Sequence, residues 1–168
     1  MKSQNNSQHY ADTLYTLADQ VLELCKQNGA QQADVSLSQD TGFSANVRLG
    51  EVETVERTND QGVAVTVYVN QQKGTASTAD LRPESLIETV AQACAIARFT
   101  EADAASGLAD AHLMATEVMD FELWHPNPIT AEQGIALALE TEQAGLNQKN
   151  ISNSDGASYS SGLSTAIY

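Results

Sequence analysis

The histidines and cysteines are the residues of this chain most suited to metal chemistry, and their spacing does not suit a metal site. The chain contains His9, His112, His125, Cys25 and Cys94. Zinc ligands usually come in pairs separated by about two to five residues, and no such pair occurs here. The His-Glu-x-x-His signature of metalloprotease helices is also absent. We therefore predict no metal-binding and no cofactor-binding residue in this chain, and we interpret His125 as a packing residue.

The carboxylates and serines offer no recognisable catalytic group either. Glu51 and Glu53 would share one face of a strand, with Glu56 nearby, but three glutamates in this pattern are more typical of a solvated face. The serines near the C-terminus lack a Gly-x-Ser-x-Gly elbow, and the glycines are spaced like turn residues rather than like a phosphate-binding loop. We predict no catalytic residue. An enzyme assembled from dispersed Asp, Glu and Ser side chains in one pocket stays open as an alternative.

The composition excludes several classes of partner. The 168 residues carry a net charge of −14, from 22 acidic and 8 basic residues. Such a balance disfavours nucleic acid and anionic membrane surfaces, both of which require basic patches. The polar N-terminus lacks the apolar core of a signal peptide, so we predict a cytoplasmic protein. Cys25 and Cys94 are expected as reduced thiols inside two helices, with a disulfide between them as the less favoured alternative.

Residues 33–78 carry the pattern of a β-sheet. Val63, Val65, Val67 and Val69 alternate, so they share one strand face, which we predict to be the core face of a strand at 62–69. Similar alternation over 43–49 and a short run at 33–39 predict further strands. The sequences Asn59–Gly62 and Asn70–Gly74 favour turns. A mainly antiparallel meander of short strands follows from this pattern.

Helical periodicity surrounds the sheet. Apolar residues recur at helical spacing over residues 10–28, 83–99 and 131–147. Pro83 suits a first helical position, and Thr130 with Gln133 fits a capping box. We predict an α+β fold, with a disordered lead-in at residues 1–9 and a single domain over residues 10–168. Residues 100–129 are predicted as a loop in which Phe121, Leu123 and Trp124 must pack. Residues 150–168 are predicted as an extended segment.

The run VRLGEVETVERTNDQGVAVTVYVNQQKGTASTADL closely resembles the N-terminal domain of the PmbA (TldE) proteins within the TldD/PmbA family. Further landmarks agree in order, from about Tyr10 onward: GAQQADVSLSQDTGFS, AIARFTEAD, GLAD, DFELWHP and ISNSDGASYSSG. None of these landmarks is a catalytic fingerprint. Their number and order carry the resemblance.

The resemblance implies a subunit of a cytoplasmic TldD–TldE heterodimeric zinc metalloprotease that degrades unfolded or flexible peptides and helps to mature a peptide antibiotic. Members have also been named as proposed modulators of DNA gyrase. The family's His-Glu-x-x-x-His zinc signature belongs to the TldD subunit and lies outside the N-terminal domain, so the zinc is expected in that partner. Since family members are longer than 168 residues, we expect an N-terminal fragment.

The role implied for this domain is non-catalytic. It would supply scaffold, and an edge strand or the sheet face that carries Tyr68 would contact the TldD-type subunit or a flexible peptide. The alternative is a freestanding protein-binding module that recognises a partner such as gyrase or a toxin–antitoxin component.

Overall fold

A computed structural model describes residues 2–115, 117 and 119–168, with side chains from residue 11 onward. The helices are α1 (Lys2–Gln27), α2 (Pro83–Phe99) and α3 (Ala131–Leu146), and the strands are β1 (Gln32–Arg48), β2 (Glu51–Val69), β3 (Gln72–Thr78) and β4 (Ala157–Ile167). A short 3₁₀ turn spans Ala111–Leu113. The strands form one sheet in the order β3-β2-β1-β4. The predicted α+β class and antiparallel sheet are confirmed.

Two tight turns join the first three strands. Leu49 and Gly50 connect β1 to β2 with φ angles of 51° and 82°, and Asn70 and Gln71 connect β2 to β3 with φ angles of 51° and 64°. Positive φ at both central residues is the mark of turns whose twist matches that of a β-hairpin. The structure therefore places the turns at 49–50 and 70–71.

The predicted turn at Asn59–Gly62 is wrong, because β2 runs straight through these residues. β1 likewise continues through Thr41 and Gly42, where two shorter strands were predicted. Asn, Asp and Gly favour turns only locally, and the backbone hydrogen bonds of a long antiparallel pair outweigh that preference. The sheet therefore has two long strands where the sequence pattern suggests several short ones.

Two of the helix boundaries agree with the sequence. α2 begins at Pro83, and α3 begins after Thr130, whose side chain and that of Gln133 form the expected capping box. α1 begins at Lys2, earlier than the predicted residue 10, so the residues predicted as a lead-in belong to the helix. Residues 2–9 contain neither proline nor glycine, and extending an existing helix is far easier than nucleating one.

The chain divides into two compact units. The first comprises residues 1–39, 60–124 and 165–168. Its core contains the predicted valines Val63, Val65 and Val67, all buried, while Val69 is partly buried. They pack with apolar residues from α1, β1 and α2: Leu14, Val21, Val35, Leu37, Leu86 and Val90.

The second unit comprises residues 40–59 and 125–164. Its buried residues include Ala45 and Val47 of β1 and Ala138 of α3. Gly134 allows α3 to approach the aromatic rings of Phe43 and Tyr159, because a Cβ at this position would lie 2.5 Å from the Phe43 ring. Few large apolar side chains are buried in this unit, so its packing depends on small residues and aromatic rings.

The predicted packing of the loop is only partly correct. In the segment before α3, the side chains of Phe121 and Leu123 are exposed, and Trp124 is partly buried. The indole N–H of Trp124 is buried without a hydrogen-bond acceptor among the described residues. Phe121 and Leu123 are therefore exposed although they are apolar, which is common for single surface residues.

Gly74 of β3 lies directly against the backbone of α2. A Cβ built at Gly74 would lie 2.0 Å from the Ala93 carbonyl oxygen and 2.5 Å from the Ala97 backbone nitrogen. We expect Gly74→Ala to lower the free energy of unfolding by about 1–3 kcal/mol, because helix and strand must separate. Gly145→Ala is the control, since nothing lies within 4 Å of its Cβ. Urea unfolding of both variants checks this, and equal midpoints would contradict it.

Cys25 and Cys94 are buried free thiols, as the sequence predicts. Burial raises the pKa of Cys25 to about 11 and also raises that of Cys94. Since the thiolate is the reactive species, we expect neither thiol to react with iodoacetamide at about pH 8 in the native protein. Both should react after unfolding in urea, as mass spectrometry would show. Rapid modification of the native protein would contradict this burial.

Candidate interaction site

The face of the sheet opposite the buried valines is polar in the first unit. Side chains of a strand alternate between faces, so this polar sheet face includes Asp34, Ser36, Ser38, Ala64, Thr66, Tyr68, Lys73, Thr75 and Ser77. Ala64 stands opposite Ser77, and Thr66 opposite Thr75, in the β2–β3 register. The Thr66 and Thr75 hydroxyls are 3.2 Å apart and share a hydrogen bond. Tyr68, which the sequence indicates as a contact residue, lies on this face.

A depression of about 630 Å³ adjoins the polar sheet face. Its lining includes Ser36, Ala64, Ser77 and Tyr168. The Tyr168 hydroxyl is hydrogen-bonded to the Asp34 carboxylate, and this bond raises the pKa of Tyr168. These groups can donate and accept hydrogen bonds, but they do not form a nucleophile–base pair.

The edges of the sheet differ in their protection. β3, at one end of the sheet, packs under α2 and pairs with β2 only over Val63–Val69. In the second unit, residues 51–59 of β2 therefore leave one edge open, and Glu51, Glu53, Glu56 and Arg57 cover this stretch with exposed charge. Charged side chains on an open edge discourage pairing with other strands. The three glutamates thus occupy the solvated positions that the sequence predicts.

β4, at the other end of the sheet, has no such charge. Residues 157–164 read ASYSSGLS, which contains no charged residue and no proline. It runs antiparallel to β1, since Gly162 approaches Thr41 while Gly156 approaches Val47. An edge with neither charge nor proline is a ready template for another strand.

Glu142 of α3 is the buried carboxylate of the second unit. Its side chain is 5% exposed. One carboxylate oxygen accepts a hydrogen bond from the Leu49 N–H at 2.8 Å, and the other accepts from the Gly50 N–H at 2.9 Å. The hydroxyl of Ser154 and these backbone donors hold the pKa of Glu142 below its ordinary value. Glu142 therefore fixes the β1–β2 turn and acts as a structural acceptor, not as a proton donor.

Two of the three histidines, His112 and His125, have described side chains, and both side chains are exposed. No group of three or more His, Cys, Asp or Glu side chains in the described part of the chain could hold a metal ion. His9 lies outside the described side chains. No helix in that same part is long and apolar enough to cross a membrane.

These features define an α+β domain with two open strand edges and a polar sheet face. Residues 33–97 match the family described as PmbA/TldA metallopeptidase domain 1. The Metalloprotease PmbA homolog of Haemophilus influenzae is 42% identical over 148 residues, which cover 88% of this chain and 33% of that protein. Metalloprotease PmbA of Escherichia coli O157:H7 is 39% identical over 137 residues, which cover 81% of this chain and 30% of that protein.

Solved structures share the fold. A proposed modulator of DNA gyrase from Bacteroides thetaiotaomicron superposes with a TM-score of 0.78 at 21% identity, over 92% of this chain and 36% of that one. TldE from Thermococcus kodakarensis gives a TM-score of 0.57 at 17% identity, over 89% of this chain and 33% of that one. The chain belongs to the PmbA/TldE family and carries its N-terminal domain. It spans about a third of the length of the curated relatives that it matches.

Sequence reasoning did not find the role of Glu142. Its position on the apolar side of α3 was visible, since it follows Ile135, Ala138 and Leu139 at helical spacing. A carboxylate on an apolar helix face indicates a buried partner, but the partner here is a pair of backbone N–H groups 92 and 93 residues away. Backbone donors leave no mark in the sequence.

We expect Glu142→Gln to destabilise the protein most at neutral pH. A carboxylate whose pKa is lowered on folding contributes stability above its unfolded pKa, and that stability is lost as the pH falls through the folded pKa. Urea unfolding at about pH 7 should show a clear loss relative to the wild type, which shrinks at about pH 3. Glu140→Gln, on the exposed side of α3, is the control and should change little. An equal loss at both pH values would contradict the role of the charge.

Proposed function

We propose that this chain is the N-terminal domain of a PmbA/TldE-like subunit of a cytoplasmic TldD–TldE-type zinc metalloprotease, and that the domain itself is non-catalytic. The similarity to Metalloprotease PmbA of two bacteria supports the protease connection. The fold similarity to a protein named TldE agrees with the subunit type. In this proposal the zinc and the catalytic groups lie in a TldD-type partner, which acts on unfolded or flexible peptides.

The observation that carries the proposed role is the uncharged edge of β4. Strand addition uses backbone N–H and C=O groups, so it tolerates many side chains. That property suits either pairing with a partner subunit or holding a flexible peptide of varied sequence. The polar sheet face of the first unit offers further hydrogen-bond donors and acceptors through its hydroxyl groups.

The test is a charged residue on the β4 edge. Leu163 of β4 is 38% exposed, and Val55 of β2 is 46% exposed, so both are exposed aliphatic strand residues of the second unit. We expect Leu163→Lys in the full-length protein to weaken assembly with a TldD-type subunit about tenfold, because a charge at the contact opposes docking. Val55→Lys should leave assembly unchanged. Analytical ultracentrifugation of the mixed subunits measures this.

Other outcomes distinguish pairing of the β4 edge with a partner subunit from binding of a flexible peptide. Normal assembly with a raised KM for an unfolded peptide would assign the β4 edge to the substrate. Unchanged assembly and unchanged KM would remove the edge from the proposal. If the wild-type protein does not assemble with any TldD-type subunit, the subunit role itself fails. Peptide hydrolysis by this chain alone in the presence of a chelator would overturn the non-catalytic assignment.

A further inference from the structure

A groove with an apolar floor runs between α1 and α2 in the first unit. Its volume is about 490 Å³, within the range of about 300–1,000 Å³ that is common for ligand pockets. The floor consists of Leu24 of α1 with Pro83, Leu86 and Ile87 of α2. Leu86 is buried, whereas Ile87 is 51% exposed. Ile87 therefore leaves apolar surface of the packed helix pair exposed to water within the groove.

The rim of the α1–α2 groove is acidic on the α1 side. Asp19 and Glu23 are four residues apart, so they lie one above the other along the groove, with Gln20 and Gln27 beside them. The Gln27 amide donates to Glu23 at 3.2 Å. The salt bridge found among the described side chains joins Arg82 to Asp80, so neither rim carboxylate has a cation within salt-bridge distance.

The α2 side adds further negative charge. Glu84 and Glu88 lie three residues before and one residue after Ile87 and are exposed, but neither lines the groove. The basic residue nearest in sequence on this side, Arg82, is engaged by Asp80 through its guanidinium group. Lys26 lies near the end of α1 and is not part of the groove lining. The groove therefore combines an apolar floor with two lining carboxylates on the α1 side, while further acidic side chains lie outside the lining on α2.

A second copy of this chain is a poor occupant. The chain has 22 acidic against 8 basic residues, so its surfaces repel the rim of another copy. α3 contains no basic residue, and α2 contains only Arg98. The exposed apolar segment with Phe121 and Leu123 also carries Asp120 and Glu122. No amphipathic segment of the described chain offers the required positive flanks.

We propose that the α1–α2 groove docks an amphipathic helix with basic flanks, supplied by a different protein. A third helix fits the ridge-and-groove surface between two packed helices, with its apolar residues at i, i+3, i+4 and i+7 on the floor. Its lysine or arginine side chains meet Asp19 and Glu23 on the rim. This docking surface is independent of the β4 edge and of any protease role.

The experiment uses the whole chain and two synthetic peptides. The first peptide is a helix with leucines at i, i+3, i+4 and i+7 and lysines on the flanks, and the second carries glutamates in place of the lysines. Fluorescence anisotropy of labelled peptides gives Kd. We expect the lysine peptide to bind at least tenfold more tightly, and we expect its binding to weaken with salt, because exposed charges are screened.

Matched variants locate the binding. Ile87→Asp removes the apolar floor, whereas Ile96→Asp changes an α2 isoleucine of similar exposure, 44%, outside the groove. Asp19→Lys combined with Glu23→Lys reverses the rim, and Glu140→Lys of α3 is its control. The groove variants should weaken binding about tenfold or more, and the controls less than about twofold. Urea unfolding midpoints confirm that each variant is folded.

Three results would overturn the proposal. The first is equal weakening by groove and control variants, which would mean diffuse attraction to an acidic protein. The second is binding of the lysine peptide that is no tighter than that of the glutamate peptide, including no binding of either at millimolar concentration. The third is concentration-dependent dimerisation of the chain that Ile87→Asp abolishes, since the groove would then take a second copy.

Discussion

The contact between β3 and α2 is the constraint on which the first unit depends. Gly74 brings strand and helix so close that a single Cβ would collide with the helix backbone. This approach holds the helix over the odd-numbered face of β2, where Val63, Val65 and Val67 are buried. Because the alternation of a strand sends the intervening residues to the other side, burying the valines also sets out the polar sheet face. The Thr100 hydroxyl donates to the Lys73 carbonyl and the Gln72 amide donates to the Thr100 carbonyl, which joins the end of the helix to the start of the same strand.

The second unit solves a different problem, because it buries few large apolar side chains. A hydrogen-bonded carboxylate is among its buried groups. Glu142 accepts hydrogen bonds from the two backbone N–H groups of the β1–β2 turn, whose residues both have positive φ. A buried carboxylate without hydrogen-bond donors is strongly unfavourable, so the two turn N–H groups stabilise Glu142 while Glu142 fixes the turn. Its open strand edges are treated unequally, with charge over residues 51–59 of β2 and none over residues 157–164 of β4. The charged side chains thus discourage strand pairing at one edge, while the other edge stays available for pairing.

The acidic side chains of the surface also differ in role from one place to another. Most of the net charge of −14 suits a solvated surface. In the α1–α2 groove, however, carboxylates line one side of an exposed apolar floor, and there the charge can select a partner as well as maintain solubility. Whether a given glutamate does one or the other depends on its neighbours in space. Glu51 and Glu53 lie on the open stretch of β2, whereas Glu23 borders an apolar floor formed by Leu24 and by residues of α2.

Strong periodicity and local end signals were enough to predict three elements: the valine strand, the helix that starts at Pro83, and the helix capped by Thr130 and Gln133. The family resemblance seen in the sequence is confirmed by the family match over residues 33–97 and by a relative that is 42% identical over 148 residues. Three further features became visible only in the folded chain: Asn59–Gly62 stay within a strand, Gly74 is a packing position and not a turn residue, and Glu142 binds a distant turn. The reason is physical. Periodicity and capping act between residues a few positions apart, whereas ladder pairing, close backbone approach and buried hydrogen bonds join residues that only folding brings together.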